Sequence, residues 1–210
     1  MVKTVDNMYA VLVDIDGTLL LTAGAGMKAF AAAFSELFCI DQMTCDVPFA
    51  GRSDRAIVMD LMQTHDIEPS AENWHRFMES YPTHLETALQ ECRGHILPGV
   101  VGLLDRLQGM DHVLLGLLTG NLRSGATRKL SHYGLAEKFR FGGFGDLYTD
   151  RNAIASQAFE QARFHARGKL SGVMVIGDTE HDIRCARSIN AVAVAVPTGN
   201  SSADELSSHQ

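Results

Sequence analysis

Three segments of the 210-residue chain place oxygen-bearing side chains directly after apolar runs. The first segment contains Asp14 and Asp16, the second contains Thr119, and the third contains Asp178 and, four residues later, Asp182. Crowded carboxylates repel one another and raise each other's pKa unless a cation lies among them. Oxygen donors without a neighbouring pair of Cys or His ligands favour a hard ion, and Mg²⁺ is the usual partner of phosphate groups. These residues therefore predict a magnesium site suited to phosphate chemistry.

The apolar runs before these side chains have the length and composition of buried parallel strands. The runs at 9–15, 113–119 and 172–178 are rich in aliphatic residues and too short for free-standing helices. Further strands are predicted at 138–142 and 191–196, and helical patterns alternate with the strands at 100–108, 124–133, 152–167 and 182–188. This alternation predicts an α/β fold with a doubly wound parallel sheet, in which ligands bind at the carboxyl ends of the strands. The three polar segments should therefore meet at one edge of the sheet.

The stretch at 23–94 interrupts the alternation of strands and helices. It contains helical patterns at 26–38, 54–64 and 71–92 and no convincing strand. Glycines near both of its ends are expected to act as hinges. The sequence thus predicts two domains, a Rossmann-like core at 1–22 and 95–210 and an inserted α-helical cap at 23–94.

The polar segments resemble the motifs of one enzyme superfamily. Asp14-Ile15-Asp16-Gly17-Thr18-Leu19 is similar to the first motif of the haloacid dehalogenase superfamily, DxDGT. Leu118-Thr119-Gly120-Asn121 resembles the second motif, and Gly177-Asp178-Thr179-Glu180-His181-Asp182 resembles the fourth, GDxxxD. The order and spacing of the motifs also match, and the insertion is similar to the helical cap of phosphoglycolate phosphatase-type members.

The resemblance implies a role for each carboxylate. Asp14 would attack phosphorus and form an aspartyl-phosphate. Asp16 would protonate the leaving alcohol and then activate water, and its backbone carbonyl would bind Mg²⁺. Asp178 would bind Mg²⁺ directly, and Asp182 would bind the water shell of the ion or orient its neighbours.

Further residues are expected to hold the substrate. The resemblance implies that Thr119 and the amide of Gly120 bind the phosphoryl oxygens, while Asn121 steadies this loop. Arg52, in a Gly-Arg-Ser turn before a predicted helix, is a candidate anion-binding residue contributed by the cap. These contacts match what phosphoryl transfer requires, which is positioning and charge neutralisation.

The third motif of the superfamily is normally a lysine, and here the sequence departs from the pattern. The corresponding region, at 145–152, contains neither lysine nor proline. Arg151 is the nearest cation in register and is predicted to lie beside the nucleophile. Lys129 is the competing candidate, but it falls in the preceding helical pattern and is expected on the surface.

The composition of the chain limits the kinds of molecule that the protein is expected to bind. The net charge is −7, and no basic block is present, so the sequence gives no support for nucleic-acid binding. No apolar stretch approaches the roughly 20 residues that cross a bilayer, and the four cysteines show no metal-type spacing and are expected to be reduced thiols. A cytoplasmic protein that acts on a small phosphorylated metabolite is expected, with its oligomeric state open and its C-terminal tail frayed.

Mg²⁺-dependent phosphatase activity is the function that these observations favour, and three alternatives remain. A sugar-phosphate mutase of the same superfamily would keep Asp16 and a similar cap but return the phosphoryl group to bound sugar. A receiver-like signalling domain also uses a phosphorylated aspartate and Mg²⁺, although the insertion, the length and Asp16 argue against it. A non-catalytic binding relative is the third alternative, and the presence of the nucleophile, acid/base and metal residues argues against it.

Overall fold

The computed structural model describes residues 7–44, 46–199 and 201–209. Its central sheet has five parallel strands in the order β5-β4-β1-β6-β7. These strands are β1 (Met8–Val13), β4 (Val113–Leu118), β5 (Gly142–Gly143), β6 (Leu170–Gly177) and β7 (Val192–Ala195). The helices are α1 (Ala25–Phe38), α2 (Asp54–Thr64), α3 (Ala71–Glu91), α4 (Val100–Gln108), α5 (Arg123–His132), α6 (Arg151–His165), α7 (Glu180–Ser188) and α8 (Ala203–Ser207).

Strand β1 lies at the centre of the sheet and is buried on both faces. Its side chains alternate between two hydrophobic clusters, because successive residues of a strand point to opposite faces. Val11 and Val13 pack with residues of α4 and α5, whereas Ala10 and Leu12 pack with residues of α6 and α7. The predicted doubly wound α/β architecture is therefore confirmed. The carboxyl ends of β4, β1 and β6 lie side by side, where ligands bind in such folds.

The three helices α1–α3, here called the helical insertion, form a hydrophobic cluster of their own. Their predicted limits agree with the structure to within one residue. Phe30, Phe77 and Tyr81 form its aromatic centre, with ring centroids 5.0–5.3 Å apart. The chain enters and leaves the insertion through an antiparallel pair, β2 (Leu20–Leu21) and β3 (His95–Ile96). The division into two domains at 22 and 94 stays a prediction.

Two local predictions are wrong. The strand expected at 138–142 begins only at Gly142, and Ala136–Lys138 forms a 3₁₀ turn. Helix α6 packs so closely that a Cβ on Gly143 would lie 2.3 Å from the carbonyl oxygen of Ile154, so this strand lacks the bulky residues that mark strands in a sequence. The tail is ordered into α8, which is capped by Ser202 and buries Leu206.

Other expectations concern thiols and membranes. Cys39, Cys92 and Cys185 are free thiols, as predicted, and Cys45 lies outside the described residues. Among the described residues, the helices are all too short or too polar to cross a bilayer.

Candidate active site

The loop after β1 brings Asp14 to the centre of the sheet edge. Asp14 is buried, and its backbone N–H donates to the carbonyl of Ile176 in β6. Gly17 then turns the chain with a φ of 81°, and a Cβ at this position would lie 2.3 Å from Oδ2 of Asp178. Glycine is therefore required here, both for the left-handed conformation and for the close approach of Asp178. The loop and the end of β6 thus place the two carboxylates together.

Three buried carboxylates form a cluster at this edge. One oxygen each from Asp14, Asp178 and Asp182 lies within 4.8 Å of the others. Burial and then the charge of Asp182 raise the pKa of Asp14 well above its usual range, and the same two causes raise the pKa of Asp178 to about 6. Oδ1 of Asp14 is buried and accepts no hydrogen bond from the described residues. Hard oxygen donors, mutual repulsion and an unused carboxylate oxygen are the features that fit Mg²⁺.

Asp182 differs from the other two members of the cluster because protein donors already occupy both of its oxygens. Oδ1 accepts a hydrogen bond from the guanidinium of Arg151. Oδ2 accepts from the backbone N–H of Thr179 at 3.1 Å and from its hydroxyl at 2.6 Å, which caps helix α7. Asp182 is therefore arranged to orient Arg151 and the start of α7.

Arg151 lies beside the nucleophile, at the first residue of α6. Its Nη2 is 3.9 Å from Oδ1 of Asp14, and the side chain is buried. Burial alone would lower the pKa of Arg151, but the charges of Asp182 and Asp14 outweigh it, so the pKa is raised and the guanidinium stays charged. The structure thus brings Arg151 to the position that the sequence predicted.

Lys129 is not a surface residue, and that expectation is wrong. Its side chain is only 5% exposed, and Nζ donates to Oδ2 of Asp16 and to Oδ1 of Asn121, both at 2.6 Å. On α5 it shares the buried face with Gly125, Ala126 and Leu130. This helical spacing was present in the sequence and would have placed Lys129 on the buried face.

The second loop holds Asp16 rather than leaving it free. Nδ2 of Asn121 donates to Oδ2 of Asp16 and to Oγ1 of Thr119, both at 2.8 Å. Thr119 is fully buried, whereas 40% of the Asp16 side chain remains exposed. Asp16 is therefore fixed by two partners and still reaches the opening of the site. Asp16 lies outside the carboxylate cluster, so only its backbone carbonyl remains as its predicted link to a metal ion.

The helical insertion contacts the core through Asp54, which the sequence did not single out as a site residue. Its backbone N–H donates to the carbonyl of Gly120, and its Oδ2 accepts from the N–H of Leu122, both at 2.7 Å. A Cβ on Gly120 would lie 2.0 Å from the carbonyl oxygen of Arg52. Burial raises the pKa of Asp54 to about 6. Glycine at position 120 thus lets the insertion sit directly on the predicted phosphoryl-binding loop.

A cavity of about 390 Å³ lies over the carboxylate cluster, between the core loops and the insertion. Asp14, Asp16, Thr119, Arg151 and Asp178 line its floor. Arg52 also lines it, but its Nη2 donates to Oδ2 of Asp60 at 2.6 Å and its Nη1 to the carbonyl of Pro48 at 3.3 Å. The cavity therefore gathers every predicted site residue except Asp182, which lies behind the floor and bonds Arg151.

A comparison with protein-family profiles gives a match that spans most of the chain. The sequence profile described as "Haloacid dehalogenase-like hydrolase" matches residues 11–196. None of the curated proteins compared with the chain matches it.

Solved structures share the fold over almost the whole chain. A predicted phosphatase from Clostridium acetobutylicum superposes with a TM-score of 0.69 at 19% identity, covering 97% of this chain and 91% of its own. A predicted phosphoglycolate phosphatase from Haemophilus somnus gives 0.68 at 14% identity, covering 99% and 92%. A candidate β-phosphoglucomutase from Thermotoga maritima gives 0.61 at 22% identity, covering 96% and 91%. At these identities the likeness shows the fold alone.

Proposed function

The chain belongs to the haloacid dehalogenase-like hydrolase family, and we propose that it is a Mg²⁺-dependent phosphatase acting on a small phosphorylated metabolite. The observation that carries this proposal is the buried Asp14 carboxylate, which keeps an unbonded oxygen beside Asp178 and Arg151. A buried carboxylate without a hydrogen bond is costly to maintain unless it serves binding or catalysis.

Hydrolysis would proceed in two displacements at phosphorus. An oxygen of Asp14 forms a bond to phosphorus while the ester P–O bond breaks, and the leaving oxygen takes a proton from the carboxyl group of Asp16. A water molecule then attacks phosphorus, Asp16 accepts a proton from it, and the Asp14–phosphorus bond breaks to release inorganic phosphate. Asp16 thus donates a proton in the first displacement and accepts one in the second, so its carboxyl group is protonated again at the end of the cycle.

The surroundings of these two residues support their different roles. Asp14 is buried, and Arg151 neutralises charge beside it. Asp16 is partly exposed, and Asn121 and Lys129 fix its orientation toward the cavity. Thr119 and the amide of Gly120 line the floor of the cavity, where they can receive phosphoryl oxygens.

Asp14, Asp178 and the backbone carbonyl of Asp16 are the groups that would hold Mg²⁺. When bound, the ion would neutralise charge on the phosphoryl oxygens. Asp182 would orient Arg151 and the start of α7 and would not bind the ion directly, because its oxygens already accept hydrogen bonds from Arg151 and Thr179.

A phosphomutase is the second candidate, because the fold is shared with a candidate β-phosphoglucomutase. Both reactions begin with the same phosphorylation of Asp14 and differ in whether water or bound sugar receives the phosphoryl group. Turnover in ¹⁸O-labelled water separates them, since a phosphatase places the label in inorganic phosphate. A receiver-like domain does not fit the family match across residues 11–196.

The test of the phosphatase proposal is release of inorganic phosphate from a panel of phosphate monoesters, with Mg²⁺ and with excess chelator. Asp14→Asn should abolish turnover and leave the fold unchanged, because the amide has the same shape and is a poor nucleophile. Turnover that is unaffected by chelator, or near-normal turnover by Asp14→Asn free of deamidation, would refute the proposal.

A further inference from the structure

The cavity over the carboxylate cluster has a charged floor and an apolar roof. At about 390 Å³ it lies at the lower end of the range for small-molecule sites. The insertion and the loop before α2 line it with Met27, Phe30, Phe49, Ile57 and the ring of Tyr81. Asp54 also lines it, but its Oδ2 already accepts a hydrogen bond from the N–H of Leu122. Since the phosphoryl group must sit on the floor beside Asp14, the rest of the substrate must face these apolar side chains.

The cations of this cavity are all engaged by carboxylates. Among its described lining residues, the lysines and arginines are Arg52, Lys129 and Arg151. Lys129 and Arg151 belong to the floor, where they pair with Asp16 and Asp182. Arg52, on the side of the insertion, is paired with Asp60.

We propose that the substrate is a monoester of a neutral, largely apolar alcohol, and that Asp60 enforces this preference by engaging Arg52. The proposal rests on the proposed phosphatase function and adds the class of leaving group to it. Asp60 does not line the cavity and acts only through Arg52.

The physical reason is the cost of burying unpaired polar groups. A leaving group with a carboxylate would bring a second anionic group into the cavity, in addition to the phosphoryl group. The cation on that side, Arg52, already bonds Asp60, so the carboxylate would be buried without a partner. A polyol would place hydroxyl groups against Phe30 and Ile57, where they lose hydrogen bonds to water. An alkyl group makes no hydrogen bonds to water and so loses none in the cavity, and burying its apolar surface is favourable.

The experiment compares Mg²⁺-dependent kcat/KM for three small esters: propyl phosphate, glycerol 3-phosphate and phosphoglycolate. The wild type should favour propyl phosphate over phosphoglycolate by at least about tenfold, the loss expected when one charged group lacks its partner. Asp60→Asn should release Arg52 and raise kcat/KM for phosphoglycolate by about tenfold, with propyl phosphate unchanged. Adding Arg52→Gln to Asp60→Asn should cancel that gain.

Asp105→Asn is the matched control, because Asp105 forms a similar exposed ion pair with Lys138 outside the cavity. It should leave the selectivity ratio unchanged. A wild-type preference for phosphoglycolate or glycerol 3-phosphate would overturn the inference, as would an Asp60→Asn variant with an unchanged ratio. Both of those outcomes leave the phosphatase proposal intact, whereas the absence of Asp14-dependent turnover of any ester would overturn both.

Discussion

Replacing Lys129 with methionine should slow hydrolysis of alkyl phosphates far more than hydrolysis of aryl phosphates. The methionine keeps most of the buried stem but removes the two hydrogen bonds, each 2.6 Å long, that Nζ donates to Asp16 and Asn121. A hydrogen bond to a charged group contributes about 1.5–3 kcal/mol, and the partial exposure of Asp16 reduces this to about 1.5–2.5 kcal/mol. That corresponds to roughly a 10- to 70-fold loss of rate.

The leaving group distinguishes positioning of Asp16 from a merely structural role. An alkoxide is a poor leaving group and needs the proton of Asp16, whereas p-nitrophenolate leaves without one. The assay measures kcat/KM for propyl phosphate and p-nitrophenyl phosphate with saturating Mg²⁺, together with the Tm of each variant, because kcat/KM reports the phosphorylation of Asp14 and not the later attack by water, which both substrates share. Lys138→Met is the control, because Lys138 also bonds two acceptors, Asp105 and Gln108, but outside the cavity. Equal losses on both substrates, or no loss on either, would refute the assignment of Lys129 as the residue that positions Asp16.

Three further outcomes follow from the geometry. Arg151→Ala should lower kcat by about 10²–10³-fold. Arg151→Lys should recover part of this loss, since lysine restores the charge but not the planar fork of the guanidinium. Full activity in the alanine variant would exclude a role for Arg151 beside Asp14. Inorganic phosphate should bind, by calorimetry, only when Mg²⁺ is present, and equal affinity in chelator would contradict this. Because the folded-state pKa of Asp54 is raised to about 6, its contribution to the free energy of unfolding is present below about pH 4 and is lost by about pH 6. Asp54→Asn, with Mg²⁺ saturating, should remove that part of the pH dependence, up to roughly 3 kcal/mol, and an unchanged urea-unfolding profile between these pH values would contradict it.

The central sheet and the helices were predictable because their patterns are strong and local. The aliphatic runs before Asp14, Thr119 and Asp178 can only be buried, and parallel strands bring their carboxyl ends to one edge. Strand β5 was misplaced because its two glycines are dictated by close neighbours, Leu117 of β4 at Gly142 and helix α6 at Gly143, which are tertiary constraints with no local signal.

The environment of Asp16 was less predictable than the position of Asp14. Asp14 follows from the strand that carries it, whereas Asp16 is held by residues 105 and 113 positions away in the sequence. The role of Asp54 could not be predicted from the sequence either, because its contacts with Gly120 and Leu122 depend on how the insertion packs on the core. Residues that join separate elements carry a weak signal in a single sequence, and those are the residues that complete this site.

The charges around the cavity explain why a second protein cation is present. On and behind the floor of the cavity, Asp14, Asp16, Asp178 and Asp182 bring four negative charges when ionised, and Arg151 and Lys129 bring two positive ones. A phosphate dianion entering such a site would be repelled, which is why we predict that a divalent cation balances the remaining charge before phosphate binds. Arg151 faces Asp14 and Asp182, and Lys129 faces Asp16, so each cation serves a different carboxylate. Arg151 alone would leave Asp16 without a charged partner and held only by the side-chain amide of Asn121. The ion pair with Lys129 keeps Asp16 at the mouth of the cavity, where the leaving oxygen of the proposed reaction would emerge.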